Sequence, residues 1–384
     1  MSRVCIAGFC ALATAAVVCA GEDSQIRREG QYWVLTSSGS ESIASGVPVR
    51  VMTRGAVTVR GHQLNEILWR LTARVKARNE EEARRILNAR LTAARQRDGI
   101  YLTAHVDGMA HLELRAPHNI PDFGAGTAGG ALEISGMDGS VVAKTGGGRV
   151  KLERIGGDVT VRTGGGEVVL GSIKGSANCV TAGGPIRAES IGADAVFETG
   201  GGEIQVHEAG GIVRASTAGG GIRVNKAHGR VFANTAGGPI DVRYAGGAVE
   251  ARNAAGPIRV ASAGGVRLET ADGAISMNDV WGSLRASTGM GSIVAQLLAG
   301  KPFAESWLTT RSGDITVLIP SNLGVKIQAR NEAADTVRRI ISEFPGLNVH
   351  VVGSSVVAEG DINGGGPVLW ITGNAGTIFI KRLN

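Results

Sequence analysis

Apolar residues through the middle of the chain come in pairs spaced two apart, and the pairs return every 18 residues. The register is clearest when each repeat is counted from a threonine: Thr127, Thr145, Thr163, Thr181, Thr199, Thr217 and Thr235. Five places on stand Leu132, Val150, Val168, Ile186, Ile204, Ile222 and Ile240, and seven places on Ile134, Leu152, Leu170, Ala188, Val206, Val224 and Val242. A second pair falls at places fourteen and sixteen, as in Val159 with Val161 and Ala195 with Phe197. A spacing of two with polar residues between is a strand with one buried face. Each repeat therefore predicts two short strands. One connecting turn carries the threonine and its following glycines, and the other carries Gly156-Gly157, Gly246-Gly247 and their equivalents. Asn253 takes the next threonine slot, and Thr270, Thr288 and Thr310 continue it after small slips.

A fixed short period means stacked coils, because no single coil can bury its apolar side alone and stability comes from neighbours. The predicted fold is all-β dominated: a parallel β-solenoid of 18-residue coils, two short strands per coil, with small α+β regions at both ends. Ten steps of ~4.8 Å give a rod on the order of 50 Å long. Glycine in the turns is expected to supply positive backbone angles, and threonine hydroxyls to bond along the corner or to turn backbone. Exposed sheet ends template aggregation, so both need a cover.

The flanking segments break the period. Residues 1–20 read as a secretory signal, with Arg3, the apolar stretch Val4 to Val18, and Val18-Cys19-Ala20 before Gly21. Lipidation of Cys19 is disfavoured by Val18 in front of it. Residues 21–45 form a linker or leading strand around Tyr32-Trp33-Val34-Leu35. Residues 46–119 are a strand-rich capping region with one helix, opened by Asn79 with Glu82 as its capping-box partner and burying Ala83, Ile86 and Leu87. The solenoid occupies 120–300. Residues 301–384 close the chain with strands and a helical stretch at 332–343 that places Val337, Ile340 and Ile341 on one face.

Composition adjusts this picture only slightly. Glycine is abundant, at 59 of 384 residues, but sits at fixed turn positions, unlike disorder or collagen. The net charge is +6 with both signs interspersed, which gives no nucleic-acid groove. No segment beyond the signal is long and apolar enough to span a bilayer. Removal of the signal takes Cys5, Cys10 and Cys19 and leaves Cys179, at an inward place, as a buried thiol without a partner.

Candidate chemistry is thin. A calcium roll of the same period needs aspartate where this chain has Val206 and Val224. An equal-sided hexapeptide helix needs apolar residues six past Val150 and Val168, where Gly156 and Lys174 stand. Acid–base cleavage of a glycoside needs two carboxylates at defined separation. Glu167 and Glu203 share place four, and Asp158 and Asp194 share place thirteen, but outward places on a solenoid are charged for solubility. His62, His105, His111, His118, His207, His228 and His350 show no metal-ligand spacing. Gly364-Gly365-Gly366-Pro367 is a turn, not a phosphate loop. Phe232 and Tyr244 fall at outward places where they could stack on sugars.

Several motifs taken together resemble the bacterial β-strand-repeat proteins of unknown function often labelled "putative adhesins". They are Val49-Arg50-Val51 with Gly55-Ala56-Val57-Thr58-Val59; coils such as Thr217-Ala218-Gly219-Gly220-Gly221-Ile222-Arg223-Val224; Ser312-Gly313-Asp314-Ile315-Thr316-Val317 followed by Leu318-Ile319-Pro320; and the closing Asn363-Gly364-Gly365-Gly366-Pro367-Val368-Leu369 and Gly376-Thr377-Ile378-Phe379-Ile380. A helical stretch like 79–88 is also typical of that family's leading region. The resemblance implies a β-solenoid and carries over no catalytic residue. No catalytic, metal or cofactor site is expected, and no cofactor. The leading expectation is a non-catalytic, exported protein of the periplasm, outer cell surface or medium, facing a surface polysaccharide or an envelope protein. The alternatives are a polysaccharide-cleaving β-helix enzyme and a self-assembling scaffold.

Overall fold

The computed structural model describes residues 16–19, 23–87, 90–105, 109–332 and 339–383, and it divides into two units, Met1–Gly147 and Gly148–Asn384. In the second unit the repeat folds as a parallel β-solenoid. One coil shows the plan: strand Ile204–Ala209, a turn, strand Val213–Thr217, and a turn into the next coil. The next coil pairs with it in parallel at identical places, Ile204 on Ile222 and Val206 on Val224 in one sheet, Val213 on Val231 and Thr217 on Thr235 in the other. We call the sheet that ends on threonine the threonine sheet and its partner the facing sheet.

The expected columns are interior. Ile186 and Ile204 are 0% exposed and Ile222 1%. Burial of an isoleucine side chain stabilises by roughly 1.5–3 kcal/mol, repeated at each coil. A further column was not anticipated. Ile155, Ile173, Ile191, Ala209, Ala227 and Ala245 sit at place ten and are all buried. They follow the place-seven residue by three, not two, so the facing strand swings inward again as it enters the turn.

The threonine corner is a hydrogen-bonded ladder. Thr217 Oγ1 donates to the carbonyl of Gly202 in the coil before (2.9 Å) and accepts from Gly220 N–H in its own turn (3.2 Å). Thr163, Thr181, Thr199 and Thr235 do the same. At Asn253 the side-chain amide replaces the hydroxyl, donating to Gly238 O at 2.8 Å. These contacts pair backbone groups that the tight turn would otherwise bury without partners.

The reason for the glycines differs from the expectation. Gly166, Gly184, Gly202, Gly220 and Gly238 do not adopt the left-handed backbone; positive φ appears at this place only in later coils, as at Gly256, Gly291 and Gly313. What they lack is room. A Cβ on Gly202 would lie 2.2 Å from the Gly184 carbonyl oxygen. Coil-to-coil approach, not turn dihedral, selects glycine here.

The C-terminal coils are threaded out of chain order. Strands Val368–Ala375 and Ile378–Leu383 pair in parallel with Ser306–Ser312 and Ile315–Pro320 on one side. On the other they pair with Val325–Asn331 and Ile340–Ser342. The last segment thus supplies a coil between two earlier ones. Ile340–Ser342 is therefore strand where a helical face was expected; Ile340 is 6% exposed and Ile341 39%, the alternation of a ladder strand. Tertiary pairing to Ile378–Ile380 overrides local helical pattern. Val337 lies outside the described residues.

In the first unit, strands Val49–Thr53 and Ala56–His62 form a coil of their own, parallel to Asp122–Thr127 and Leu132–Met137, with Thr53 opposite Thr127. The same threonine contact recurs within this unit: Thr127 Oγ1 donates to Gly55 O at 2.7 Å. Gly99–His105 and Met109–Pro117 form the next coil outward, again parallel. Beyond it the pairing turns antiparallel, through Arg90–Gln96 on one sheet and Glu66–Val75, Tyr32–Ser42 and Asp23–Glu29 on the other. Ala16–Cys19, within the stretch read as a signal, pairs antiparallel with Arg90–Gln96; Cys5 and Cys10 lie outside the described residues.

The helix spans Glu80–Ile86 with Asn79 as N-cap, its Oδ1 accepting from Glu82 N–H at 2.9 Å. The Glu82 carboxylate reaches back to Arg78 N–H at 2.8 Å. Ala83 and Leu87 are buried, but Ile86 is 38% exposed. Leu87 leaves the helix as its C-cap, so Ile86 has no further helical turn to pack beneath.

Candidate functional site

Along the outer surface of the threonine sheet in the second unit runs an open trough of about 1000 Å³. One wall is the residue before each threonine, or before Asn253: Val180, Glu198, Ser216, Asn234, Arg252, Glu269 and Ser287. The floor is the residue after it, Gly200, Ala218, Ala236, Ala254 and Ala271. The repeat explains both. The place before threonine points outward and is free to be polar, whereas the place after it begins the tight turn and stays small. From Val180 to Ser287 the trough crosses six coil steps, about 29 Å at ~4.8 Å each.

The wall's charges are largely satisfied. Arg252 pairs with Glu250 at 2.7 Å and Glu269 at 3.3 Å, and Arg267 with Glu269 at 2.9 Å. The hydrogen bond from Arg267, assisted by Arg252, holds the Glu269 carboxyl below the usual carboxylate range against a partial desolvation that would raise it. A general acid needs the opposite shift. Glu198, the other carboxylate of the wall, is four coil steps from Glu269, about 19 Å. Paired carboxylates in glycoside hydrolysis stand roughly 5–9.5 Å apart.

The carboxylates considered in the sequence have other partners. Glu167 is held between Arg149 (3.3 Å) and Arg187, and Glu203 faces Arg223 at 3.5 Å. Asp158 Oδ1 accepts Ser176 N–H at 2.7 Å, and Asp194 Oδ1 accepts Ile212 N–H at 2.7 Å. These aspartates cap the next coil's turn, and a Cβ on Gly175 or Gly211 would collide with their oxygens, at 2.4 and 2.1 Å.

The histidines are dispersed. His207 lies 3.0 Å from Asn225, His228 3.1 Å from Glu208, His111 2.9 Å from Thr58 and His118 2.5 Å from Asp138. Lys226, then His228, hold the Glu208 carboxyl below its ordinary range. Among the described residues no three His, Cys, Asp or Glu side chains gather as metal ligands would. Cys179 is fully buried and its thiol pKa is pushed up by desolvation, the inert state.

Phe232 and Tyr244 do not share a platform. Phe232 faces out from the threonine sheet beside the trough, whereas Tyr244 stands on the facing sheet. The sequence reading passed over Trp307 and Trp370. They are 63 residues apart yet directly paired on the threonine sheet. Their shared place, three before Thr310 and three before Gly373, was the available signal, but Gly373 breaks the threonine register.

Among the described residues no helix is long and apolar enough to cross a membrane. No known family model matches the chain, and neither does any curated protein. Solved structures similar to it include two crystal structures. One is described as a "putative cell adhesion protein" from Clostridium sporogenes; it is 9% identical, with 91% of this chain and 100% of that chain covered and a TM-score of 0.19. The other, a "putative adhesin" from Bacteroides fragilis, is 10% identical over 91% of this chain and 97% of that one, with a TM-score of 0.22. Both descriptions use the vocabulary of the family that the sequence resembles. At such low identities and TM-scores neither fixes the arrangement or the activity of this chain.

Proposed function

We propose that this chain is a non-catalytic binding protein, exported through its N-terminal signal, which presents the trough of the threonine sheet to an extended polymer at the cell surface or outside the cell. The observation that carries this reading is the trough itself: open along its length, floored by glycine and alanine, and walled from Glu198 to Ser287 by one polar side chain per coil, of varying kind. One polar side chain every ~4.8 Å along a small-residue floor offers a line of contacts to an extended chain. A convergent active site would instead gather different groups at one point, and the carboxylates nearest the trough are bound to arginine or lie far apart.

The test is a glycan array, with envelope proteins spotted alongside, probed with the full chain and with Ala236→Trp, which fills the middle of the floor. Retention of an extended polymer by the native chain and its loss in Ala236→Trp is the expected outcome. Release of sugar ends from any spotted polysaccharide, abolished by Glu198→Gln, would replace this reading with an enzymatic one.

A further inference from the structure

Two places before the polar wall, the same strands carry a second outward column. Read coil by coil in paired register it is Arg214, Phe232, Glu250, Arg267, Arg285, Trp307, Trp370 and Gln328. An arginine followed by an aromatic occurs in it twice. The Arg214 guanidinium lies 4.6 Å from the Phe232 ring centre, with that of Arg230 also over the ring at 5.5 Å, and that of Arg285 lies 4.3 Å from Trp307. Trp307 is directly followed by Trp370, 37% exposed, whose Nε1–H donates to Glu305 at 2.9 Å. That bond fixes the orientation of the indole. Among the described residues neither Arg214 nor Arg285 has a carboxylate partner, whereas Arg252 and Arg267 do. A shallow hollow of about 310 Å³ around Phe232 shares Glu198, Ser216, Asn234 and Arg252 with the trough, so column and trough form one surface.

We infer that this column binds an acidic linear polysaccharide, a glycan carrying uronic-acid carboxylates, with a sugar ring on Trp370 and carboxylates against Arg214 and Arg285, which the Phe232 and Trp307 rings hold in place from beneath. The inference rests on the trough reading above and names its ligand. Three features select the class. Trp370, 37% exposed and with no guanidinium over its ring among the described residues, offers an open face to the apolar side of a sugar ring. The unpaired guanidiniums stand beside the aromatics and offer planar, bidentate recognition of carboxylate. They are also sparse. Arg214 and Arg285 are four coil steps apart, about 19 Å, with Glu250 between them. A nucleic acid carries a phosphate at every unit and needs a denser basic track; a glycan with spaced carboxylates does not.

The experiment is affinity electrophoresis of the full chain through gels containing polygalacturonate, a neutral linear β-glucan, or a single-stranded oligothymidylate. Retardation by polygalacturonate that weakens with added salt, and exceeds that by the neutral glucan, is expected. Trp370→Ala and Arg285→Gln should each weaken it about tenfold, and Arg285→Lys should recover part of the loss. Both side chains face outward, so unchanged circular dichroism and melting temperature accompany the loss. Equal retardation by neutral and acidic glycans, indifference to Trp370→Ala, or tighter binding of the oligothymidylate overturns the assignment. If a polymer is still held by the Trp307→Ala/Trp370→Ala chain but released by Ala236→Trp, the trough stands and the acidic ligand falls. If nothing on the array is held, the trough reading falls first.

Discussion

Gly219 and Gly220 are adjacent, share one turn, and have different reasons to be glycine. Neither lies in the left-handed backbone region, so dihedral strain does not separate them. A Cβ on Gly219 would meet only the Gly201 carbonyl oxygen, at 3.9 Å, an ordinary contact. A Cβ on Gly220 would lie 2.1 Å from the Gly202 carbonyl oxygen and 2.4 Å from its carbon, against an ordinary contact of 3.4 Å or more. Both obstacles are backbone of the neighbouring coil and cannot rotate away. Opening that gap displaces the Thr217 hydroxyl from Gly202 O and Gly220 N–H. Overpacking of this kind costs about 1–3 kcal/mol, and each weakened hydrogen bond about 1 kcal/mol more. Less the ~0.4–1 kcal/mol that replacing glycine by alanine gains through the unfolded chain, Gly220→Ala should therefore destabilise by about 2–4 kcal/mol. Gly219→Ala should stabilise by about 0.4–1 kcal/mol through the unfolded chain. In a unit of this size 1 kcal/mol moves the melting temperature by about 2–4 °C, so the two variants should differ by roughly 10 °C in a thermal scan, with the same order in urea. Equal shifts, or a stabilised Gly220→Ala, would refute coil-to-coil clearance as the reason for the glycine column.

Deleting residues 364–384 removes the coil that sits between Ile315–Pro320 and Ile340–Ser342. Hydrogen exchange should then show lost protection through Ser306–Asn331, and unchanged protection would contradict the threaded arrangement. The Glu269 carboxyl is held below its ordinary range by Arg267 and then Arg252. Its folded pKa is below its unfolded one, so the stability it contributes is present above about pH 4.3 and is lost as pH falls through the folded value. Glu269→Gln should flatten that acid limb by no more than about 1 kcal/mol, because the side chain is 41% exposed and screened by solvent; an acid limb identical to that of the native chain in urea titrations would remove the ion cluster from the account.

Much of the fold was legible because a repeat multiplies a weak signal. One Ile-x-Val is poor evidence for a strand; the same pair at Ile186, Ile204, Ile222 and Ile240 is strong. Place ten was readable by the same logic but went unseen, because Ile155, Ile173 and Ile191 give way to Ala209, Ala227 and Ala245, and the step of three breaks strand alternation. The helix cap at Asn79 was local chemistry and came through. The helical reading of 332–343 did not hold for Ile340–Ser342, because a parallel partner 38 residues downstream decides that segment. The site was less legible. Glu167, Glu203, Asp158 and Asp194 drew attention by spacing alone, and their arginine and backbone partners become visible only when the coils are stacked.

The amino-acid sequence by itself determined the period, the two strands per coil and the inward columns, since these follow from local alternation and turn chemistry repeated in register. Tertiary structure alone decided three things: that Val49–His62 and Val368–Leu383 enter as coils out of chain order, that Trp307 and Trp370 stand side by side, and that the corner glycines answer to a neighbouring carbonyl instead of their own φ. Each is a contact between residues distant along the chain, where one-dimensional pattern carries no distance information.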